Sequence, residues 1–307
     1  MLYGIVDMGS NSIRLSIFRE ENGVITQIIS KKVMAGLAGY VKKGKLTQSG
    51  IEKACLALET LREVLDNFNV DGTGIFATAS LRNICNQDEV LNRMQRVTGI
   101  APEIISGKEE ARLDFVGATR FYPMERGLLV DIGGGSTELV WFGEEGAKEL
   151  ISIPVGSLAL HTQFVSGLIP GPKEREKMRK SIREQLDAVD WPVESGCTVC
   201  GIGGTMRMAL QLSQELLGGA KAESRFSLDD LEQLLKIACS DDPDVSKPAY
   251  KIVPERMFSM VPGLLIIREV ARKFGCADFF VSRAGVREGY LITRFLEPAL
   301  AGSGQKN

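Results

Sequence analysis

One short pattern occurs twice and limits the fold more than anything else in the chain. Ile5-Val6-Asp7-Met8-Gly9-Ser10-Asn11-Ser12 reads as an apolar strand, an aspartate, a tight glycine turn and hydroxyl residues. Leu128-Leu129-Val130-Asp131-Ile132-Gly133-Gly134-Gly135-Ser136-Thr137-Glu138-Leu139-Val140 repeats the layout. A second strand follows each turn, Ile13 to Phe18 in the first copy. Self-similarity of this kind predicts a duplicated lobe.

Helix and strand alternate after each copy, which makes the fold class α/β. Ile51, Ala54, Cys55, Leu58, Leu61, Leu65 and Phe68 follow helical spacing, and Ile75 to Thr78 reads as a buried strand. Further helices are expected over Glu89 to Val97 and Lys108 to Thr119, with a strand at Glu103-Ile104-Ile105 between them. Phe121-Tyr122-Pro123 marks the boundary, giving lobes over 1–123 and 124–307, with the last helix free to pack back on the first lobe. The second lobe should hold helices over Lys173 to Leu186, Met206 to Leu217, Leu228 to Cys239, Leu264 to Phe274 and Val286 to Leu296. Its further strands are Thr198 to Cys200 and Phe279 to Val281. Asp241-Asp242-Pro243-Asp244 and Lys247-Pro248 read as a loop, and Gly302 to Asn307 as a frayed tail.

Composition narrows the function by exclusion. A formal net charge of -2 and a pI near 5.8 give no global positive field, so neither nucleic acid nor an anionic membrane is an expected partner. The first residues lack the features of a secretory signal, and the apolar run at Val261 to Ile267 stops at Arg268-Glu269, so a cytoplasmic location is expected. Six cysteines then read as reduced core residues. Cys197 and Cys200 form a C-x-x-C, but on a strand positions three apart face opposite ways. His161 is the single histidine, which removes support for a Ser-His-Asp triad and for a histidine-rich di-metal centre. Any acid-base work falls to carboxylates.

The glycine turns supply the binding chemistry. Consecutive backbone N–H groups in such a turn can surround phosphate oxygens, with a hydroxyl as an extra donor. Asp7 and Asp131 at the strand ends could hold hydrated Mg²⁺. A third turn, Gly201-Ile202-Gly203-Gly204-Thr205, joins a strand to a helix and offers that helix's free amides and positive dipole to an anion. Gly39 to Lys45 has the spacing of a P-loop but puts Leu46 where a metal-binding hydroxyl belongs. With Lys31 and Lys32 it is a basic stretch, by default a solvated loop. Glu109 and Glu110 open a helix, where acidic residues are favoured for the dipole alone, and both are also candidates for a general base.

Seven segments in order resemble the exopolyphosphatase and guanosine pentaphosphate phosphatase family. They are Asp7 to Ser12, Ala77-Thr78-Ala79-Ser80-Leu81-Arg82, Ser106 to Arg112, Asp131 to Glu138, Gly203-Gly204-Thr205, Val261-Pro262-Gly263 and Arg287-Glu288-Gly289. The resemblance implies an actin-like ATPase fold, with two ribonuclease H-like lobes and an active site in the cleft between them. It implies Glu110 as the carboxylate that activates water, and Asp131 and Glu138 as catalytic and metal-binding carboxylates beside Asp7, with Mg²⁺ or Mn²⁺ as cofactor. Ser10, Asn11, Arg82, Gly133, Gly134, Ser136, Gly204 and Thr205 correspond to phosphate-binding positions, while Glu109 is given no role.

Inorganic polyphosphate is the expected substrate, with guanosine pentaphosphate as the alternative; a non-catalytic sensor of either is the reading from a different class. Homodimerisation stays open. Two departures from the family bear on this. The chain ends near Asn307, without the extra helical domains of longer relatives, and Arg283 stands where the family usually has Asp.

Overall fold

The computed structural model describes residues 1–193, 196–220 and 223–297. The backbone divides into two compact units. One comprises Met1–Gly117 and the described chain from Val286 on, and the other comprises Ala118–Gly285.

The first unit opens with β1 (Leu2–Met8), β2 (Ser12–Glu21) and β3 (Val24–Met34) as an antiparallel meander. The small hairpin β4 (Val41–Lys42) and β5 (Lys45–Leu46) precedes helix α1 (Gln48–Phe68), whose N-cap Thr47 accepts from Gly50 N–H at 3.3 Å. Then follow β6 (Gly72–Ala77), a single helical turn α2 (Ala79–Arg82), α3 (Gln87–Thr98), β7 (Glu103–Ile104) and α4 (Gly107–Phe121). The sheet order is β3-β2-β1-β6-β7, antiparallel up to β1 and parallel beyond it.

Because β1 is central, both of its faces are covered, which is why it reads as an unbroken apolar run. Val6 and Met8 join Leu15, Ile17, Ile51, Leu58 and Leu61 on the α1 side. Tyr3 and Ile5 join Phe18, Phe76, Leu113 and Tyr290 on the other. The period of two therefore puts Asp7 on the Tyr3–Ile5 face.

The second unit repeats the plan. β8 (Gly127–Ile132), β9 (Thr137–Gly143) and β10 (Gly146–Ile153) form the meander, followed by α5 (Ser157–Phe164) and α6 (Pro172–Leu186). β11 (Val199–Ile202) leads directly into α7 (Gly203–Leu216). β12 (Arg225–Ser227), α8 (Leu228–Ala238), α9 (Pro243–Ile252), α10 (Met260–Phe274) and β13 (Asp278–Val281) complete it. The order is β10-β9-β8-β11-β13-β12, with β8, β11 and β13 parallel. One continuous core joins Leu128, Val130 and Ile132 to apolar side chains of α6, α7, α8 and α10.

The last helix, α11 (Val286–Leu291), continues as a π-helical turn over Ile292–Leu296 and belongs to the first unit. Tyr290 stacks on Phe76 with ring centroids 4.7 Å apart. Gly289 lies against the backbone carbonyl of Leu113, so a Cβ there would strike α4.

Two expectations are corrected. Residues 243–252 are helical: Asp242 caps α9 by accepting from Asp244 N–H at 2.9 Å, and Pro243 occupies the first turn, where its missing N–H costs nothing. Pro248 lies inside that helix. Lys31 and Lys32 belong to edge strand β3, and Lys42 and Lys45 to the β4–β5 hairpin, so the stretch is largely solvated but is built of strands and not a loop. Lysines are a usual guard on a strand edge. The tail 302–307 lies outside the described residues. Among the described residues, no helix is long and apolar enough to cross a membrane.

Candidate functional site

In the first unit the Asp7–Ser12 turn is a closed hairpin. Gly9 N–H donates to Ser12 C=O at 3.1 Å, and Gly36 and Ala38 N–H groups donate to the Asn11 and Ser10 carbonyls at 2.8 and 3.0 Å. Ser10 is buried and Asn11 half-buried. Ser80 Oγ donates to Met8 C=O at 2.5 Å, which fastens the turn after β6 to the end of β1. On the Asp7 face, β2 presents Arg14 and Ser16, and α11 presents Arg287, whose Nη1 donates to Ser16 Oγ at 2.6 Å. Burial holds the Asp7 carboxyl above the usual carboxylate range, Arg287 and Arg14 pull it down, and Glu288 pushes it up.

Arg82 and Glu110, read separately from the sequence, are brought together. Arg82 Nη1 donates to Glu110 Oε2 at 2.8 Å and to Ile105 C=O at 3.3 Å. Glu110 is only 8% exposed, in the first turn of α4, with its N–H on the Ser106 carbonyl. Glu109 points elsewhere: Arg112 Nε and Nη2 donate to its two oxygens at 2.8 and 2.9 Å, and Arg294 approaches to 3.2 Å. The bidentate bond from Arg112 holds the Glu109 carboxyl below its usual range, with Arg294 assisting against burial. Neighbouring acids in one helical turn thus have separate partners, one buried pair and one half-exposed pair.

In the second unit Asp131 and Glu138 are directly opposite across β8 and β9, so their side chains share a face of the sheet. Glu138 is buried and its Oε1 accepts from Ser152 Oγ at 2.7 Å. The Gly133–Ser136 turn closes through Gly133 N–H to Ser136 C=O at 3.0 Å. Its Gly133 and Gly134 carbonyls are taken by the first amides of α5, at Ser157, Leu158 and Ala159. The turn is thereby held rigid from behind, by its carbonyls, and Ser136 is buried within it.

The third turn starts α7 without a side-chain cap, because the side chain of Ile202 at the N-cap has no polar atom. Gly203 has φ +80°, a conformation open to glycine, and a Cβ there would strike Asp131 Oδ1. Thr205 is buried and its Oγ1 donates to Ile132 C=O at 2.8 Å, so its hydroxyl ties α7 to the end of β8. What the Gly203-Gly204-Thr205 segment offers an anion is its backbone, the uncapped N-terminus of a helix of 14 residues.

Sequence reasoning missed Arg256. The short 3₁₀ turn Pro254–Arg256 places its guanidinium against the α-carbon of Gly204, where any Cβ would collide with it. Burial pulls its pKa below the usual value, while Glu255 and Asp131 favour its charged form. A desolvated cation beside an uncapped helix start is chemistry that attracts an anionic group. Nothing periodic in Pro254-Glu255-Arg256 announces this, because the contact spans the distance from Arg256 to Gly204 in sequence.

Asp131, Glu138 and Asp7 are hard oxygen donors of the kind Mg²⁺ takes. Among the described residues, no group of three or more His, Cys, Asp or Glu side chains is arranged to hold a metal. His161 is remote from such a role: it is buried, with its Nε2 at 3.4 Å from Leu168 C=O and its ring edge-on to Phe258. Arg283 is exposed.

Known structures share this fold over nearly the full chain. The Aquifex aeolicus member of the Ppx/GppA protein family is 24% identical, with a TM-score of 0.79 and coverage of 97% of this chain and 98% of that one. An exopolyphosphatase from Cytophaga hutchinsonii is 24% identical, with a TM-score of 0.85 and coverage of 96% and 97%. A further structure of the Aquifex aeolicus PPX-GPPA enzyme is 25% identical, with a TM-score of 0.77 and coverage of 95% and 99%. The duplicated α/β architecture expected from the repeated turn, which the family resemblance implies to be actin-like, is the fold these proteins share. The sequence pattern of the Ppx/GppA phosphatases is matched over residues 16–297, and the chain belongs to that phosphatase family.

Proposed function

We propose that the chain is an exopolyphosphatase, hydrolysing the terminal phosphoanhydride bond of inorganic polyphosphate by attack of water. The observation that carries this reading is the Arg82–Glu110 pair: a buried carboxylate held at 2.8 Å by a guanidinium in the first turn of α4. Water is a poor nucleophile at neutral pH, and a positioned carboxylate that accepts its proton contributes roughly 10² to 10⁴ in rate. Glu110 is the base. Arg82 orients it and brings a fixed positive charge to a phosphate oxygen beside it.

The second unit supplies anion binding. Backbone amides of the Gly133–Ser136 turn and of Gly203-Gly204-Thr205 receive phosphate oxygens, and Arg256 adds charge beside Gly204. Ser10 and Asn11 do the same in the first unit, on the hairpin that Gly36 and Ala38 brace. Asp131 and Glu138, with Asp7 as a donor of the same kind, are the residues that would hold Mg²⁺, which offsets phosphate charge when bound. Ser152 keeps Glu138 oriented toward that task.

Support for polyphosphate comes from the exopolyphosphatase of Cytophaga hutchinsonii, which has this fold. Guanosine pentaphosphate presents the same terminal anhydride. The test is phosphate release, with Mg²⁺, from short polyphosphate, guanosine pentaphosphate and ATP in parallel. The proposal expects the highest kcat/KM on polyphosphate. A higher value on guanosine pentaphosphate would replace the substrate, and tight binding without release from any of them would make the chain a sensor.

A further inference from the structure

The sequence pairs Cys197 with Cys200 as a C-x-x-C, but the structure gives Cys197 a different neighbour. Cys200 is buried inside β11. Cys197, half-buried just before that strand, has its Sγ 3.1 Å from the Sγ of Cys276, 79 residues on, which is buried just past the end of α10. A disulfide bond is about 2.05 Å long, so the sulfurs are in contact and not bonded. The backbone already holds the two segments together. Gly196 N–H donates to Gly275 C=O at 2.9 Å, one residue before each cysteine, and Val199 is in register with Phe279 just beyond.

Access comes from the other side of Cys197. It lines a cavity of about 640 Å³ whose walls also include Arg126, Trp141, Lys148 and Thr198. Cys276 is buried and is not among the residues lining that cavity, and its thiol is pushed up by its hydrogen bond to Cys197 and by burial. Its S–H is also within reach of Phe274 C=O at 3.6 Å. The two sulfurs therefore have different roles open to them, one facing a cavity and one held protonated behind it.

We propose that Cys197 and Cys276 are a dithiol–disulfide modification site, oxidised by a small-molecule disulfide that enters this cavity. The Cys197 thiolate attacks one sulfur of the incoming RSSR, forms a Cys197–SR mixed disulfide and releases RS⁻. Cys276 gives its proton to that RS⁻, and its sulfur attacks Cys197 Sγ and expels the second RS⁻, which takes the proton Cys197 had lost. The balance is one dithiol and one RSSR converted to one protein disulfide and two RSH.

Oxidation would clamp one end of an element pair whose other end is already joined. β11 runs into Gly203-Gly204-Thr205, and Gly263 near the start of α10 packs against the methyl of Thr205. A disulfide from Cys197 to Cys276 fixes the opposite ends of β11 and α10. Closing a loop of this length restricts the unfolded chain strongly and should raise the thermal midpoint by about 5 to 10 °C.

The experiment equilibrates the native full-length protein in graded mixtures of oxidised and reduced glutathione, blocks remaining thiols with N-ethylmaleimide, and maps the peptides by mass spectrometry. The expected result is a Cys197–Cys276 linked peptide that reduced glutathione reverses, accompanied by the rise in midpoint. Exposed Cys85 reports ordinary surface glutathionylation. In a Cys276→Ser variant, Cys197 should accumulate as a lasting mixed disulfide with glutathione. The wild-type map stands alone if that variant does not fold. Linkage that appears only after denaturation, Cys197 modified without linkage in the wild type, or linkage with an unchanged midpoint would overturn the proposal.

Discussion

At the scale of single residues, Arg82 and Glu110 depend on one another. Removing the guanidinium takes away the partner that holds Glu110 and, on the proposed function, a phosphate-binding charge. Arg82→Ala should raise KM for a polyanionic substrate by about tenfold or more, since a hydrogen bond to a charged group is worth about 1.5 to 3 kcal/mol, and should lower kcat as well. Arg62→Ala is the comparison, because Arg62 lies on α1, bonds the Thr98 carbonyl at 2.7 Å and pairs with Asp66 at 3.7 Å; steady-state kinetics should show its KM nearly unchanged. Equal small effects from both would remove Arg82 from the site. Glu109 gives the matching pH prediction. Its folded pKa lies below the usual 4.5, so the stability it adds is present above that value and is lost as pH falls through the folded one. Being half-exposed, it should contribute at most about 1 kcal/mol. Thermal midpoints measured from neutral pH downward should converge for wild type and Glu109→Gln in acid, and differ at pH 7.

At the scale of elements, the uncapped start of α7 is the part most open to test. Gly204→Ala would drive its methyl into the Arg256 guanidinium, and Arg256→Ala would remove that cation while leaving the turn alone. Both should lower kcat/KM by about tenfold or more, whereas Arg256→Ala should shift the melting curve little. Full activity in Arg256→Ala would leave that arginine a structural charge. These elements also show what the sequence discloses. The glycine turns and their aspartates were legible because a local pattern, repeated, needs no distant partner. Strand β3 was missed although Asn22-Gly23 carries the strongest short hairpin signal, with both residues at positive φ, because polar Ser30-Lys31-Lys32 interrupts its apolar pattern. Helix α9 was missed because two prolines outweighed its Asp242 cap. Arg256 and the engagement of the Thr205 hydroxyl by Ile132 were out of reach for another reason, since each contact joins segments far apart in sequence.

At the scale of the whole molecule, the same order of an antiparallel meander followed by parallel strands occurs in both units, and each copy of the turn comes at the end of its first strand. Duplication explains why carboxylates and glycine amides recur as two sets, and the proposed function gives them one task. If so, Glu110→Gln and Asp131→Asn should be strongly non-additive in kcat, the double variant being little slower than the worse single one. Independent, multiplying losses would separate the two sets. The measurement closest to the central claim is phosphate release by Glu110→Gln, with Mg²⁺ and saturating short-chain polyphosphate, beside Glu109→Gln. Gln keeps the size and an acceptor oxygen for Arg82 but cannot take a proton from water. The account predicts a fall in kcat of about 10² to 10⁴ for Glu110→Gln with substrate still bound, and near-normal turnover for Glu109→Gln. Full turnover in Glu110→Gln, or equal losses in both variants, would contradict it.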